Sequence, residues 1–279
     1  MSKKSLTSNE LLTAQPVTEK IWQRHTLGQK MARMALNLVI VTAIVFSVSS
    51  INIIWEFLWD APEQMIDMGR RMWPLDFAYY PETVHAALME TFHIATLGTI
   101  FSVLFALPLA ILAARNITHN KALNLLSKVI LVSSRSVNSL VWALLFVAVF
   151  GPGPLAGAVA ISFRSIGFVG KLLGEALEEV PRGSIEALKA SGATLSSQII
   201  YGYWPAVKPA FWSLALLRWD INVRESSVLG LVGAGGLGMA MNAAIDLFDW
   251  NKVSVILLTI LIVVVLGEIV ITYFRRKLI

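Results

Sequence analysis

Six long apolar stretches constrain this chain more than any other feature of its sequence. They run over about Leu36–Leu58, Ala86–Ala113, Leu125–Phe150, Leu155–Leu173, Pro209–Gly230 and Val253–Phe274. Rising about 1.5 Å per residue, helices of these lengths cross the roughly 30 Å hydrocarbon core of a bilayer. Only 15% of the 279 residues are charged and 56% are hydrophobic, whereas soluble domains carry about 25% charged residues. So few charges cannot cover a water-facing surface, and lipid must be the solvent for much of the chain. Backbone groups in lipid must be satisfied internally, which favours helices. The predicted fold is therefore all-α integral membrane, with six transmembrane helices.

Lys and Arg placement orients the spans. Lys3, Lys4, Lys20, Arg24, Lys30 and Arg33 precede the first. Arg115, Lys121 and Lys128 follow the second, Arg182, Lys189 and Lys208 follow the fourth, and Arg275-Arg276-Lys277 close the chain. With six spans, all of these fall on one side, the cytoplasm, with both termini inside. The segment Asp60–Val84 falls on the other side and is richer in acidic residues. It also carries Trp73, Tyr79 and Tyr80, which suit an interfacial belt. This divides the chain into a cytoplasmic tail over 1–34, a first span with an external loop over 35–85, and a main bundle over 86–279. The opening residues are polar and contain Pro16, without the pattern of a cleaved signal peptide. The net charge of +5 comes from residues at the ends of apolar runs, which argues against nucleic acid as a partner. No cysteine is present, which excludes disulfides and thiolate metal sites.

Between the fourth and fifth spans lies a polar element over 184–205. Ser184 reads as an N-cap with Glu186 in the first turn. Ile185, Leu188, Leu195 and Ile199 recur near helical spacing, and Gly192 interrupts them at a position suited to a left-handed helix end. Thr194 then caps a second short helix that ends before Pro205. The expectation is a helix–turn–helix elbow lying flat on the cytoplasmic surface. Two turns of helix are not stable alone, so the elbow must pack on its own spans or on a partner.

Glu186-Ala187-Leu188, Gly192 and Pro205 resemble the EAA motif of bacterial ABC importer permeases. Leu188 stands where that pattern has a second Ala, Gly202 where it has Ile, and Trp204 where it has Leu. The resemblance runs from about Ala86 to the C-terminus. It is closest to the permeases of phosphonate, phosphite and hypophosphite importers, through the run Asn222–Gly238 and through Gly151-Pro152-Gly153-Pro154-Leu155-Ala156-Gly157. Methionine importer permeases share a similar glycine-rich run. The resemblance implies a type I importer permease whose elbow is a coupling helix docking on a cytosolic ATPase. It also implies two copies of this chain, two ATPase subunits holding the ATP and Mg²⁺, and an external substrate-binding protein. The location it implies is the bacterial inner membrane, and the cargo a phosphonate-like oxyanion. No cofactor would be bound by this chain itself. The glycine-rich run would lie near an external gate, with Asp246, Asp249 and Trp250 on the external face.

Charges inside the apolar segments mark the candidate path. Arg164 sits in span four. Arg218, Asp220, Arg224 and Glu225 sit in span five, with Arg224 about 22 Å along a helix starting at Pro209. A lone charge at a helix centre costs about 2.5–3.5 kcal/mol on insertion scales, so such a group implies pairing or a water-lined interior. Asp220 and Arg224 are spaced to pair on one helix face. A pathway and a purely structural ion-pair set both remain open at this point. Arginine forks suit phosphate-like oxyanions, and Arg164 with Arg224 would shape an electropositive route. Arg135 reads as a snorkelling anchor. Gly233, Gly235 and Gly238 satisfy a dinucleotide-binding spacing, but no strand precedes them. Together with Gly236 they read instead as small residues permitting a bend or close helix approach, and so as a gate. The four histidines lack metal-ligand spacing, and no Walker A sequence is present. A secondary transporter would predict inverted repeats, and a membrane enzyme would need clustered His or carboxylates at one face. Neither pattern is present.

Overall fold

The computed structural model describes residues 27–51 and 54–278, with side chains over 28–51 and 54–274. The basic residues Lys3, Lys4, Lys20 and Arg24 lie outside the described residues. All described regular structure is helical. The helices are α1 (Leu27–Ser50), α2 (Trp55–Arg71), α3 (His85–Ala113), α4 (Lys121–Ser136), α5 (Ser139–Phe150), α6 (Pro154–Glu178), α7 (Arg182–Ala190), α8 (Leu195–Gln198), α9 (Trp204–Leu229), α10 (Gly236–Asp246) and α11 (Trp250–Leu278). Five helical segments are long and apolar enough to cross a membrane, and a sixth candidate is the α4–α5 pair. The six predicted stretches thus correspond to six candidate spans.

The chain divides into two units, one ending at Glu63 and one running from Gln64 to Ile279. In the first, α1 is exposed along its whole described length, as lipid contact demands of residues such as Phe46 and Val45. The predicted first span, Leu36–Leu58, is shifted: α1 starts earlier and stops at Ser50. Serines cluster at that end, and the Ser49 hydroxyl donates to the Phe46 carbonyl at 3.0 Å. Such local bonds compete with continuation of the ladder.

In the second unit α6 is the central helix, packed on α3, α4, α5 and α9. Its buried face is built of small residues, among them Ala156, Gly157, Ala160, Ser165, Gly167 and Gly170. Small residues let helix backbones approach closely where hydrophobicity alone gives no drive to associate. At Gly167 a Cβ would overlap the Leu131 carbonyl of α4 and meet Arg135 Cβ at 3.0 Å. This approach sets the end of α4, and Arg135 with it, against the middle of α6.

The predicted third span, Leu125–Phe150, is broken. α4 and α5 meet at 90°. Val137 and Asn138 are extended at the corner, and the Asn138 side chain accepts from Leu140 N–H as the N-cap of α5. The predicted fifth span also changes. It begins at Trp204 rather than Pro209, and it is continuous with α8 through a π-turn over Ile199–Tyr203. Pro108 lies within α3 without ending it.

Candidate functional site

The elbow forms from residues that both anchor and expose it. α7 starts at Arg182, with Pro181 at the cap position, and no acidic residue falls in its first turn. Ser184 is therefore not the N-cap; its hydroxyl donates back to the Pro181 carbonyl at 3.0 Å. The helix ends as predicted at Gly192, whose φ is +78°. Gly192 N–H donates to the Lys189 carbonyl and Ala193 N–H to the Leu188 carbonyl, both at 3.0 Å. This paired closure is a Schellman motif, and its left-handed position is open to glycine without the Cβ penalty. Thr194 caps the next turn, accepting from Ser197 N–H. The second helix does not end before Pro205. Proline lacks the N–H that would continue the ladder, and the wider π-turn carries the chain past it, leaving Pro205 exposed in the first turn of α9.

One residue of α7 holds it down: Ile185 is buried with Tyr203, Val207, Leu173 and Leu177. Glu186 and Ala187 are exposed, and Leu188 is half-buried. A Cβ on Gly202 would meet Ile185 Cδ1 at 2.6 Å and Leu188 Cδ1 at 2.9 Å. The departures from the EAA pattern at 188 and 202 therefore occupy the same space.

Deeper in the bundle, α6 and α9 are joined by a buried polar network. Arg218 is only 3% exposed. Its Nε donates to Ser165 Oγ at 2.7 Å and its Nη2 to Glu225 Oε2 at 3.3 Å. Its guanidinium lies over the Phe168 ring at 5.4 Å. Glu225 Oε1 accepts from Arg164, so one carboxylate bridges two arginines on two helices. The Ser165 hydroxyl lies 2.6 Å from the Ile161 carbonyl and 3.1 Å from Asn222 Oδ1. Asn222 Nδ2 in turn donates to Thr99 Oγ1 of α3 at 2.8 Å. Buried charges survive when paired and hydrogen-bonded in this way.

Beside this network lies a cavity of about 340 Å³ lined by Val132, Arg135, Ser136, Arg164, Phe168 and Arg218. Arg135, expected as a snorkelling anchor, is an exposed residue on the wall of this cavity. α4 ends at Ser136, before the break, and Arg135 in its last turn lines the cavity. Sequence reasoning missed it because a continuous span gave it no inward-facing corner. It also missed Ser165, Asn222 and Thr99, whose signal is polar residues on faces otherwise built for close packing.

Asp220 and Arg224 pair as their spacing predicts. They look elsewhere: Arg224 also reaches Glu268 of α11 at 3.4 Å. At 3.6 residues per turn, this pair lies roughly 130° around α9 from Arg218 and Glu225. The structure does not bring Arg164 and Arg224 together.

The glycine-rich run forms a corner between α9 and α10. A 3₁₀ turn over Gly230–Val232 leads to Gly233, Gly235 and Gly236 at φ of +88°, +89° and +71°. Leu237 N–H donates to Thr91 Oγ1 of α3 at 2.9 Å, and Gly153 N–H to the Gly233 carbonyl at 2.9 Å. A Cβ on Gly236 would meet Thr91 Oγ1 at 2.5 Å. The corner is therefore a left-handed bend locked against α3 and the α5–α6 loop. No strand precedes it, as a dinucleotide fold would need.

Comparison with known proteins places this geometry. A family model described as "Binding-protein-dependent transport system inner membrane component" matches residues 106–279. The chain is 43% identical over 175 residues to the putative phosphite transport system permease protein HtxC of Stutzerimonas stutzeri, covering 63% of this chain and 62% of that protein. It is 36% identical over 195 residues to the phosphite transport system permease protein PtxC of the same organism, covering 70% of each. The matches thus span about two-thirds of these relatives' lengths. Among solved structures, an inward-facing MetNI methionine ABC transporter gives a TM-score of 0.61 at 22% identity, covering 70% of this chain and 96% of that one. The family match covers well over half of the chain, and the chain belongs to the family of binding-protein-dependent transport system inner membrane components.

Proposed function

We propose that this chain is the membrane subunit of an ATP-driven importer of phosphite- or phosphonate-like oxyanions. It works as two copies on two cytosolic ATPase subunits, which hold ATP and Mg²⁺, and receives cargo from an external binding protein. The observation that carries this reading is the elbow. Glu186 and Ala187 are presented outward around a rigid corner at Gly192, while Ile185 ties the element to the bundle. Movement of the elbow is thereby movement of α6 and α9, which pack around the same cluster. Swinging a two-state bundle from 1:99 to 99:1 takes about 5.5 kcal/mol, and a loose element would not transmit it. Leu188 and Pro205 complete the coupling surface. Arg164, Arg218 and Glu225 line the cargo path, Asp220 and Arg224 brace its wall, and Gly233, Gly235 and Gly236 form the gate corner. Both termini are cytoplasmic, with the acidic segment after α1 and the Asp246–Trp250 turn facing the binding protein. The phosphite-system relatives support the cargo class.

A methionine-type permease is the second reading, supported by the likeness to the MetNI fold. Proteoliposomes carrying the purified complex separate the two. The expected result is ATPase activity stimulated by phosphite or methylphosphonate in the presence of the cognate binding protein, and unmoved by methionine. Stimulation by methionine alone would reverse the assignment. In the same system Glu186→Lys or Gly192→Asp should abolish uptake with membrane insertion intact; normal transport in both would overturn the coupling role.

A further inference from the structure

We propose that the arginine cavity is a transient oxyanion station in which Glu225 is a built-in competitor for the cargo, and that Arg135 is one of its binding groups. The inference rests on the oxyanion reading above and deepens it. Arg135, Arg164 and Arg218 line the cavity, and the carboxylate joined to them is Glu225, on Arg164 and Arg218. Three guanidinium groups against one carboxylate leave two positive charges uncompensated. Among the described residues Arg135 has no ion pair or hydrogen-bonded side-chain partner, and Nη1 of Arg218 makes no hydrogen bond. These are free donors at the cavity, and charge-assisted bonds from a guanidinium to an oxyanion are among the strong ones.

Glu225 gives the station its second property. Its two oxygens each hold one arginine, so the carboxylate already occupies the donors that a phosphorus oxyanion would want. A cargo with several equivalent oxygens and two negative charges matches what the cavity lacks. It takes up Arg135 and the free edge of Arg218, then displaces Glu225 from one or both of its partners. When it leaves, Glu225 closes back. The exchange keeps binding weak, as passage requires, since a site that held the anion tightly would trap it. It also couples occupancy to shape, because the Arg164–Glu225–Arg218 bridge is the ionic tie between α6 and α9. Cargo in the cavity loosens that tie while the buried Ser165–Asn222–Thr99 chain still holds the helices in register. A zwitterion brings no net charge and leaves both positive charges unmet, so the cavity favours dianions.

The chain has no cysteine, which makes a single reporter clean. Ser136→Cys places a thiol on the cavity wall. The full-length protein in membrane vesicles is treated with an anionic (sulfonatoethyl) or a cationic (trimethylammonioethyl) methanethiosulfonate, purified, and its labelling read by mass spectrometry. A cleft lined by one sign of charge raises local counter-ion concentration by about 10–10³, so the anionic reagent should react at least about tenfold faster. Millimolar phosphite should slow it. Arg135→Gln should reduce the preference severalfold and remove the phosphite protection; Glu225→Gln should increase both. Arg135 is exposed, so its replacement leaves a folded protein even if Glu225→Gln does not. Equal labelling by the two reagents, or a preference that Arg135→Gln leaves untouched, would overturn the station. Phosphite uptake tested alongside distinguishes the two readings. A retained labelling preference without phosphite uptake rejects the phosphite cargo and keeps the station. Uptake that proceeds with no labelling preference does the reverse.

Discussion

At the residue scale, Leu188 and Gly202 show how a departure from a motif can be conservative in volume. The EAA pattern has Ala and Ile at these positions; here the large side chain sits on α7 and the small one in the π-turn. Gly202→Ile alone would drive a branched side chain into Ile185 and Leu188. Overpacking of this kind costs about 1–3 kcal/mol. Leu188→Ala combined with it should recover part of that loss, since Ile185 Cδ1 stays in place. Thermal unfolding of the purified protein measures both, and a double variant no better than Gly202→Ile would refute the shared space. Gly192 makes a contrasting case. Nothing lies within 4 Å of a Cβ there, so the cost of a side chain is conformational alone, about 1–2 kcal/mol for a residue held left-handed. Gly192→Asn should be tolerated better than Gly192→Ala, because Asn visits that region more readily. Hydrogen exchange over 188–195 would register the difference as faster opening of the corner in the alanine variant.

At the element scale, the sequence carried what is local and lost what depends on a neighbour. The apolar stretches, the Gly192 corner and the Thr194 cap each announce themselves within a few residues. The break between α4 and α5 does too, in retrospect. Ser136-Val137-Asn138-Ser139 offers an N-cap in the middle of an apolar run, but hydropathy averages over it, and span length then argues for one straight helix. The π-turn before Pro205 is different in kind. A proline ordinarily signals an end, and only the packing of Tyr203 and Val207 beneath α7 makes passing through it the better solution. The Asn138 cap is testable by itself. Asn138→Ala removes the acceptor for Leu140 N–H at 3.0 Å, which costs about 1 kcal/mol at an ordinary N-cap. The first turn of α5 should exchange amide hydrogens faster while the middle of α6 stays protected. Unchanged exchange at Leu140 and Val141 would mean that packing alone holds the corner.

For the whole molecule, the decisive fact is that α9 carries two charge networks on separate faces. The spacing of Asp220 and Arg224 was readable, since both lie on one helix. That Arg218 and Glu225 belong with Arg164 and Arg135 was not, since it depends on which helices are neighbours. The two networks should fail in different ways. Arg224→Gln leaves Asp220 nearly buried without its cation and cuts the tie to Glu268; a buried group stripped of its partner costs about 1–3 kcal/mol. Its consequence is lower thermal stability, with the KM for oxyanion uptake unchanged. Arg164→Gln removes a donor from the cavity and one partner of Glu225, so KM should rise several-fold with only a small loss of stability. Residues that share no partner combine additively, and the double variant should show both defects at their single-variant sizes. Uptake kinetics and unfolding of the same preparations decide the matter. If Arg224→Gln raises KM as much as Arg164→Gln, the anion's route runs along both faces of α9, and Arg224 with its partners Asp220 and Glu268 is part of the path rather than its brace.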